Sequence, residues 1–105
     1  YRYIDTNEIL YLKADNNTTD VIMKDGSIIS AFKTLKTFED RLPPNFIRIH
    51  QSYILNTDFI SRINYGKSIC ALKNGDTQIP FSKSYKTNID NLKKLLTKST
   101  ITTLN

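Results

Sequence analysis

Phe46-Ile47-Arg48-Ile49-His50-Gln51-Ser52-Tyr53-Ile54-Leu55-Asn56 decides how the chain folds. Its start alternates apolar and polar residues, Ile47 and Ile49 toward one side and Arg48 and His50 toward the other. That is the period-two pattern of a strand with one buried face. Tyr53, Ile54 and Leu55 are core candidates, and Ser52 and Asn56 are suited to tie down a turn through side-chain-to-backbone hydrogen bonds. The stretch follows Pro43-Pro44 and holds the chain's single histidine. A dry face beside a cationic edge serves either a catalyst or a binding surface.

Upstream, Tyr1 to Ile4 reads as a short strand and Glu8 to Ala14 as a second, mostly buried one. Asp15 to Asp20 is a polar loop by composition. Val21 to Lys24 and Ser27 to Ala31 read as strands joined at Asp25-Gly26, a type I′ hairpin signal. From Thr34 the period changes: Leu35, Phe38 and Leu42 share one helical face, with Thr34 as N-cap and Pro43-Pro44 as the stop. This stripe is narrow and suits a helix covering one end of a sheet.

Downstream, Thr57-Asp58 reads as a turn, Phe59 to Tyr65 as a strand, and Gly66-Lys67 as the turn after it. Ser68 to Lys73 and Thr77 to Phe81 form a further pair around Asn74-Gly75, a second I′ signal. Ser82 is the N-cap of a last helix whose apolar face is Tyr85, Ile89, Leu92, Leu95 and Leu96. Thr97 to Asn105 is a Thr-rich tail expected to fray, which leaves residues 1–96 as the domain. Short strands at such regular spacing call for small packed antiparallel sheets and not a parallel βαβ fold.

With 105 residues, 39% of them hydrophobic, six Tyr and five Phe, the chain supports one domain with a substantial core. No run approaches the roughly 18 apolar residues of a membrane span, and no signal peptide is visible. The expectation is therefore a cytoplasmic segment without membrane contact. A start at Tyr1 and not Met points to a piece of a longer protein. The lone Cys70 excludes an internal disulfide, fits a reducing compartment, and is most simply a small buried strand residue. The net charge of +5 suits a polyanionic partner, and lysines concentrate after the last strand: Lys83, Lys86, Lys93, Lys94 and Lys98 against Asp90.

Enzyme classes find little support. One His and one Cys on different strands make no metal site, and no cofactor motif is present. His50 and Ser52 lack an orienting acid and a nucleophile elbow. The three glycines are isolated turn residues, not a phosphate loop. Nucleic-acid binding has the right charge sign and loops rich in Asn, Gln, Thr and Ser that hydrogen-bond bases and phosphates. The two helical segments are separated by strands, so no helix-turn-helix is formed, and a reader of this type uses loops projecting from sheets.

Arg48 to Asn56 resembles the Arg-x-His-x-Ser-aromatic-apolar-apolar-Asn signature of LytTR-type DNA-binding domains of bacterial transcription regulators. Ile9 to Ala14 is similar to the early strand of that family. Asp25-Gly26 and the Leu35 to Leu42 helix stand at its spacing, and Asn74-Gly75 with Ile79-Pro80-Phe81-Ser82-Lys83-x-Tyr85 is similar to its close. The resemblance runs to about residue 96 and implies a mainly β fold: an elongated arrangement of small antiparallel sheets with a short central helix and a C-terminal helix. It further implies sequence-specific binding of double-stranded DNA carrying paired repeats, as a dimer on DNA, with loops in successive major grooves. An N-terminal receiver or sensor domain outside this chain, as in two-component response regulators, is implied as well.

The contacts the resemblance implies are Asn17, Thr18 and Thr19 before the third strand, Gln51 after the motif histidine, and Ser82, Lys83 and Ser84 after the last strand. Gln51 is suited to bidentate adenine recognition; its plainer role is to end a strand. Lys83, where the family commonly has Arg, suits a phosphate clamp at a helix N-terminus; otherwise it is a solvated lysine. The Asn17 to Thr19 segment is neutral to acidic, flanked by Asp15 and Asp20. Arg48 either pairs with an acid or touches phosphate, and His50 either bonds a neighbouring loop or touches DNA. The competing class is a protein-interaction or oligomerisation module on the same fold that has lost DNA binding.

Overall fold

The computed structural model describes residues 3–75 and 77–99. Among the described residues, eight strands form two antiparallel sheets. The larger is built from β1 (Ile9–Asp15), β2 (Thr18–Met23), β3 (Ile28–Ala31), β4 (Phe46–His50) and β5 (Tyr53–Asn56), in the order β3-β2-β1-β5-β4. The smaller contains β6 (Ile60–Asn64), β7 (Ile69–Leu72) and β8 (Gln78–Pro80), in chain order. Two helices complete the fold, α1 (Leu35–Glu39) and α2 (Lys86–Ser99). The molecule is elongated, 48 × 27 × 25 Å.

The larger sheet is a wall between two apolar clusters. On one face Ile9, Leu12, Val21 and Ile54 meet Leu35 of α1, with Phe38 and Leu42 packed beside them. On the other, Leu10, Ile49 and Leu55 meet Ile60, Cys70, Leu72 and Ile79 of the smaller sheet and Ile89 and Leu92 of α2. Leu12, Ile54 and Leu55 are fully buried, each contributing about 1.5–3 kcal/mol by leaving water. The helix α1 thus packs on the face formed by β1, β4 and β5 and not over a sheet end, because its stripe meets the outward side chains of the central strands.

The turns differ from expectation in kind more than in place. Both hairpins at Asp25-Gly26 and Asn74-Gly75 form, yet neither Asp25 nor Asn74 has positive φ. Only Gly26 (φ 92°) and Gly75 (φ 97°) take the left-handed conformation, and each donates its N–H three residues back, to Met23 and Leu72. The six-residue loop expected at Asp15 to Asp20 is a two-residue turn, Asn16-Asn17, with Asp15 paired to Thr18 and Asn16 at φ 57°. Asn tolerates that region through local hydrogen bonding. After β6 it is Ser68 (φ 54°), not Gly66, that takes the left-handed position.

Thr34 caps α1, accepting from the Thr37 N–H, but the helix ends at Glu39. Ser82 caps the 3-10 turn Lys83–Tyr85 that leads into α2. Ile89 and Leu92 form the buried stripe of that helix with Leu96 packed half-buried beside them; Tyr85, expected on the same face, stands half-buried in the 3-10 turn before the helix, and Leu95 is 43% exposed at the margin. The helix runs to Ser99; residues 100–105, and Tyr1 and Arg2 of the expected first strand, lie outside the described residues. Tyr3 and Ile4 are not in a strand. No described helix is long and apolar enough to cross a membrane.

Cys70 sits in the larger cluster, and burial pushes its thiol up to about 12. Two results should follow. Iodoacetamide should leave the native protein unlabelled at pH 8 and label it rapidly in urea. The unfolded thiol ionises near its ordinary value while the folded one stays protonated, so this group's contribution to stability is full below about pH 8.5 and falls as pH rises toward 12. Labelling of the native state at the unfolded rate would contradict the burial.

Candidate nucleic-acid interface

The eleven residues from Phe46 to Asn56 form a hairpin, β4 and β5 joined by Gln51-Ser52. A register shift between Arg48 and His50 breaks the period-two alternation, so the two do not share one regular face as the sequence pattern suggests. His50 stands opposite Tyr53, their rings edge-to-face at 5.5 Å. Its Nδ1 accepts the Ser52 N–H at 3.0 Å, which leaves Nε2 as the protonated nitrogen of the neutral ring. His50 therefore closes its own turn. The Ser52 backbone, not its hydroxyl, ties the turn down: its carbonyl also accepts from the Ala14 N–H at 2.9 Å. Asn56 behaves as its sequence position suggests, accepting from Asp58 N–H at 2.9 Å and donating to the Ile9 carbonyl at 2.8 Å.

Arg48 holds this turn from beneath. Its guanidinium donates to the His50 carbonyl at 3.2 Å, to the Gln51 carbonyl at 2.6 Å and to Glu39 Oε1 of α1 at 3.1 Å. It also lies 5.6 Å from the Tyr85 ring centre. The side chain is only 13% exposed. Of its two expected roles the structure shows the acid partner, with four neighbours around the guanidinium. Gln51, at the tip, is exposed.

The segment after β8 is fastened to the same place. The Ser82 N–H donates to the Ile49 carbonyl at 2.9 Å, and Asn88 Nδ2 donates to the Arg48 carbonyl at 2.7 Å. Ser82 Oγ accepts from Ser84 N–H, which leaves Lys83 and Ser84 exposed at the start of the helical segment. Ser82, Lys83 and Lys86 line one cavity of about 320 Å³ with Tyr65 and Phe81. Lys83 and Lys86 make no ion pair among the described residues, whereas Lys24 and Lys36 pair with Glu8 and Asp40.

The third segment lies at the same end of the larger sheet. β1 ends at Asp15 beside the start of β5, with Lys13 paired to Tyr53, so the Asn16-Asn17 turn and the Gln51-Ser52 turn project in one direction. Asn17 is exposed and Thr18 half-buried, its hydroxyl donating to the Asp15 carbonyl at 2.8 Å. Thr19 overturns the expectation of a contact: it is fully buried in β2, and its Oγ1 donates to the Lys33 carbonyl at 2.7 Å. A buried hydroxyl with its donor committed inward has no surface to offer a ligand.

Three turns from distant parts of the chain, with exposed amide, hydroxyl and ammonium groups, thus share one end of the fold. The family model described as the LytTr DNA-binding domain matches residues 1–96. The chain belongs to this family. A relative, the sensory transduction protein LytT of Bacillus subtilis (strain 168), is 31% identical over 96 residues, covering 89% of this chain and 38% of the relative. The chain therefore spans about two-fifths of that protein's length. A solved LytTr DNA-binding domain from Bacillus cereus superposes with a TM-score of 0.75 at 28% identity, covering 85% of this chain and 84% of that one. The mainly β architecture expected from the sequence is the fold of this LytTr domain.

Within the LytTr domain, the sequence pattern did not reveal the supports. Glu39 and Asn88 hold Arg48 through its side chain and its carbonyl, and neither carries a local signal, since each pairing joins a helix to β4. Lys86 was legible only as part of the lysine run. Among the described residues no group of three or more His, Cys, Asp or Glu is placed to hold a metal.

Proposed function

We propose that this domain binds double-stranded DNA sequence-specifically as the output domain of a bacterial transcription regulator, in the manner of a response regulator whose receiver or sensor domain lies outside this chain. The observation that carries the reading is the convergence of Asn17, Gln51 and the Ser82-Lys83-Ser84 segment at one end. In this reading the turns enter successive major grooves of a repeated site occupied by two copies. Gln51 offers its amide to a base edge, favouring adenine. Lys83 and Lys86 bind phosphate through their ammonium groups.

The test is binding to a selected duplex and to a random duplex across a salt series. Counterion release makes the logarithm of affinity fall linearly with the logarithm of salt concentration. Lys83→Ala should weaken binding to every sequence and reduce that slope by about 0.9. Gln51→Ala should leave the slope alone and relax preference at one base pair by about 1–3 kcal/mol. Absence of binding at low salt would favour the interaction-module reading, which the acidic flanks Asp15 and Asp20 support. An unchanged base preference in Gln51→Ala would remove Gln51 from the interface.

A further inference from the structure

Phe32 lies 90% exposed in the bend between β3 and α1. In β3, Ile28 and Ser30 are exposed and Ile29 and Ala31 half-buried, so Phe32 continues the outward row. The bend is fixed on both sides. The buried Thr19 hydroxyl holds the Lys33 carbonyl, and Thr34 caps α1. Thr19 pairs with Ala31, so Phe32 leaves β3 at the end of the sheet where β2 begins, the end that carries the Asn16-Asn17 turn.

Several polar groups of this region are already paired within the chain. Thr18 donates to the Asp15 carbonyl, Thr19 to the Lys33 carbonyl, and Asp20 accepts from Ser30 Oγ. With Asp15 and Asp20 as its charges, the turn offers no cation to a base edge. The neighbouring bend presents the exposed aromatic side chain of Phe32, followed by the exposed Lys33.

We propose that Phe32 is a specificity residue whose ring meets the 5-methyl group of a thymine in the major groove, while Lys33 meets the adjacent phosphate. Apolar contact with this methyl is a recognised form of base readout and needs no charge, which suits an acidic turn. The inference rests on the DNA-binding reading above.

The test uses the chain of residues 1–105 and a duplex selected by it from a random pool, with each thymine replaced singly by deoxyuridine, which removes only the methyl group. One replacement should lower wild-type affinity by about threefold to tenfold. Phe32→Ala should lose affinity for the unmodified site by a similar factor and become indifferent to that replacement, and Phe32→Leu should retain part of the response. Thermal unfolding and low-salt binding to random duplex should be unchanged, because the side chain is exposed. An unaltered deoxyuridine response in Phe32→Ala overturns the assignment. So does a change in sedimentation without a change in that response, which would make Phe32 a contact between copies. A wild-type chain that selects no duplex and binds none at low salt overturns the DNA-binding reading itself, an outcome visible before any variant is made.

Discussion

Arg48→Ala should lower stability by about 2–4 kcal/mol and abolish discrimination between a selected and a random duplex, while leaving low-salt binding to random duplex largely in place. The side chain makes one ion pair and two charge-assisted bonds to carbonyls while nearly removed from solvent. Each such bond is worth about 1.5–3 kcal/mol, and deleting the donor leaves acceptors to find water. Glu39 is about one-third exposed, so its lost partner adds only a small part. The functional consequence is larger than the thermodynamic one. The bond to the Gln51 carbonyl is the shortest of the three, so Arg48 fixes the backbone of the tip residue. Arg48→Lys should restore some stability and little discrimination, since an ammonium lacks the planar fork that reaches two carbonyls and a carboxylate together. Chemical denaturation and competition binding measure the two effects separately. A folded Arg48→Ala protein that discriminates within about twofold of wild type would show that the turn is held by other means.

Asn56→Asp should be the most destabilising single-atom change in the domain, by about 3–5 kcal/mol. The residue is fully buried, and its three hydrogen bonds join β5 to β1 through Ile9, to the following turn through Asp58, and to Asn45. Aspartate keeps the acceptor toward the Asp58 N–H and deletes the donor toward the Ile9 carbonyl, setting a carboxylate oxygen against a carbonyl oxygen in a site without water access. For a domain whose whole stability is about 5–15 kcal/mol, the urea midpoint should fall steeply at neutral pH and recover partly in acid, where the carboxyl is protonated and can donate. A midpoint close to wild type at pH 7 would mean that the Ile9 bond carries little of the coupling between these strands.

Much of this was legible residue by residue, for identifiable reasons. Hairpins marked by Asp25-Gly26 and Asn74-Gly75 are encoded locally, because a left-handed position selects glycine. The stripes of α1 and α2 are periodic and hence readable, apart from Leu95, whose exposure depends on where the stripe ends. The family motif pointed to Gln51 and Lys83, and both stand exposed in the fold. Reading failed where a residue's role depends on something far away in the chain. Thr19 looks like a loop polar residue until β3 pairs with β2 and brings the Lys33 carbonyl to it. For Arg48 the sequence left an acid partner and a phosphate as the two options, and the fold supplies the acid by setting Glu39 of α1 beside the guanidinium, while two carbonyls come from the hairpin itself. Composition counted both among the hydrophilic residues, and only tertiary pairing shows that they are internal.

The larger sheet also has two unlike borders. Along β4 the outward carbonyls of Arg48 and Ile49 are occupied by Asn88 and the Ser82 N–H, so that margin is closed to another strand. Along β3 the border is unpaired among the described residues and only four residues long, about 13 Å. A template that short is poor at recruiting a foreign strand, and the lysine after Phe32 adds repulsion between copies. Crowding many molecules onto neighbouring sites therefore carries little risk of fusing their sheets.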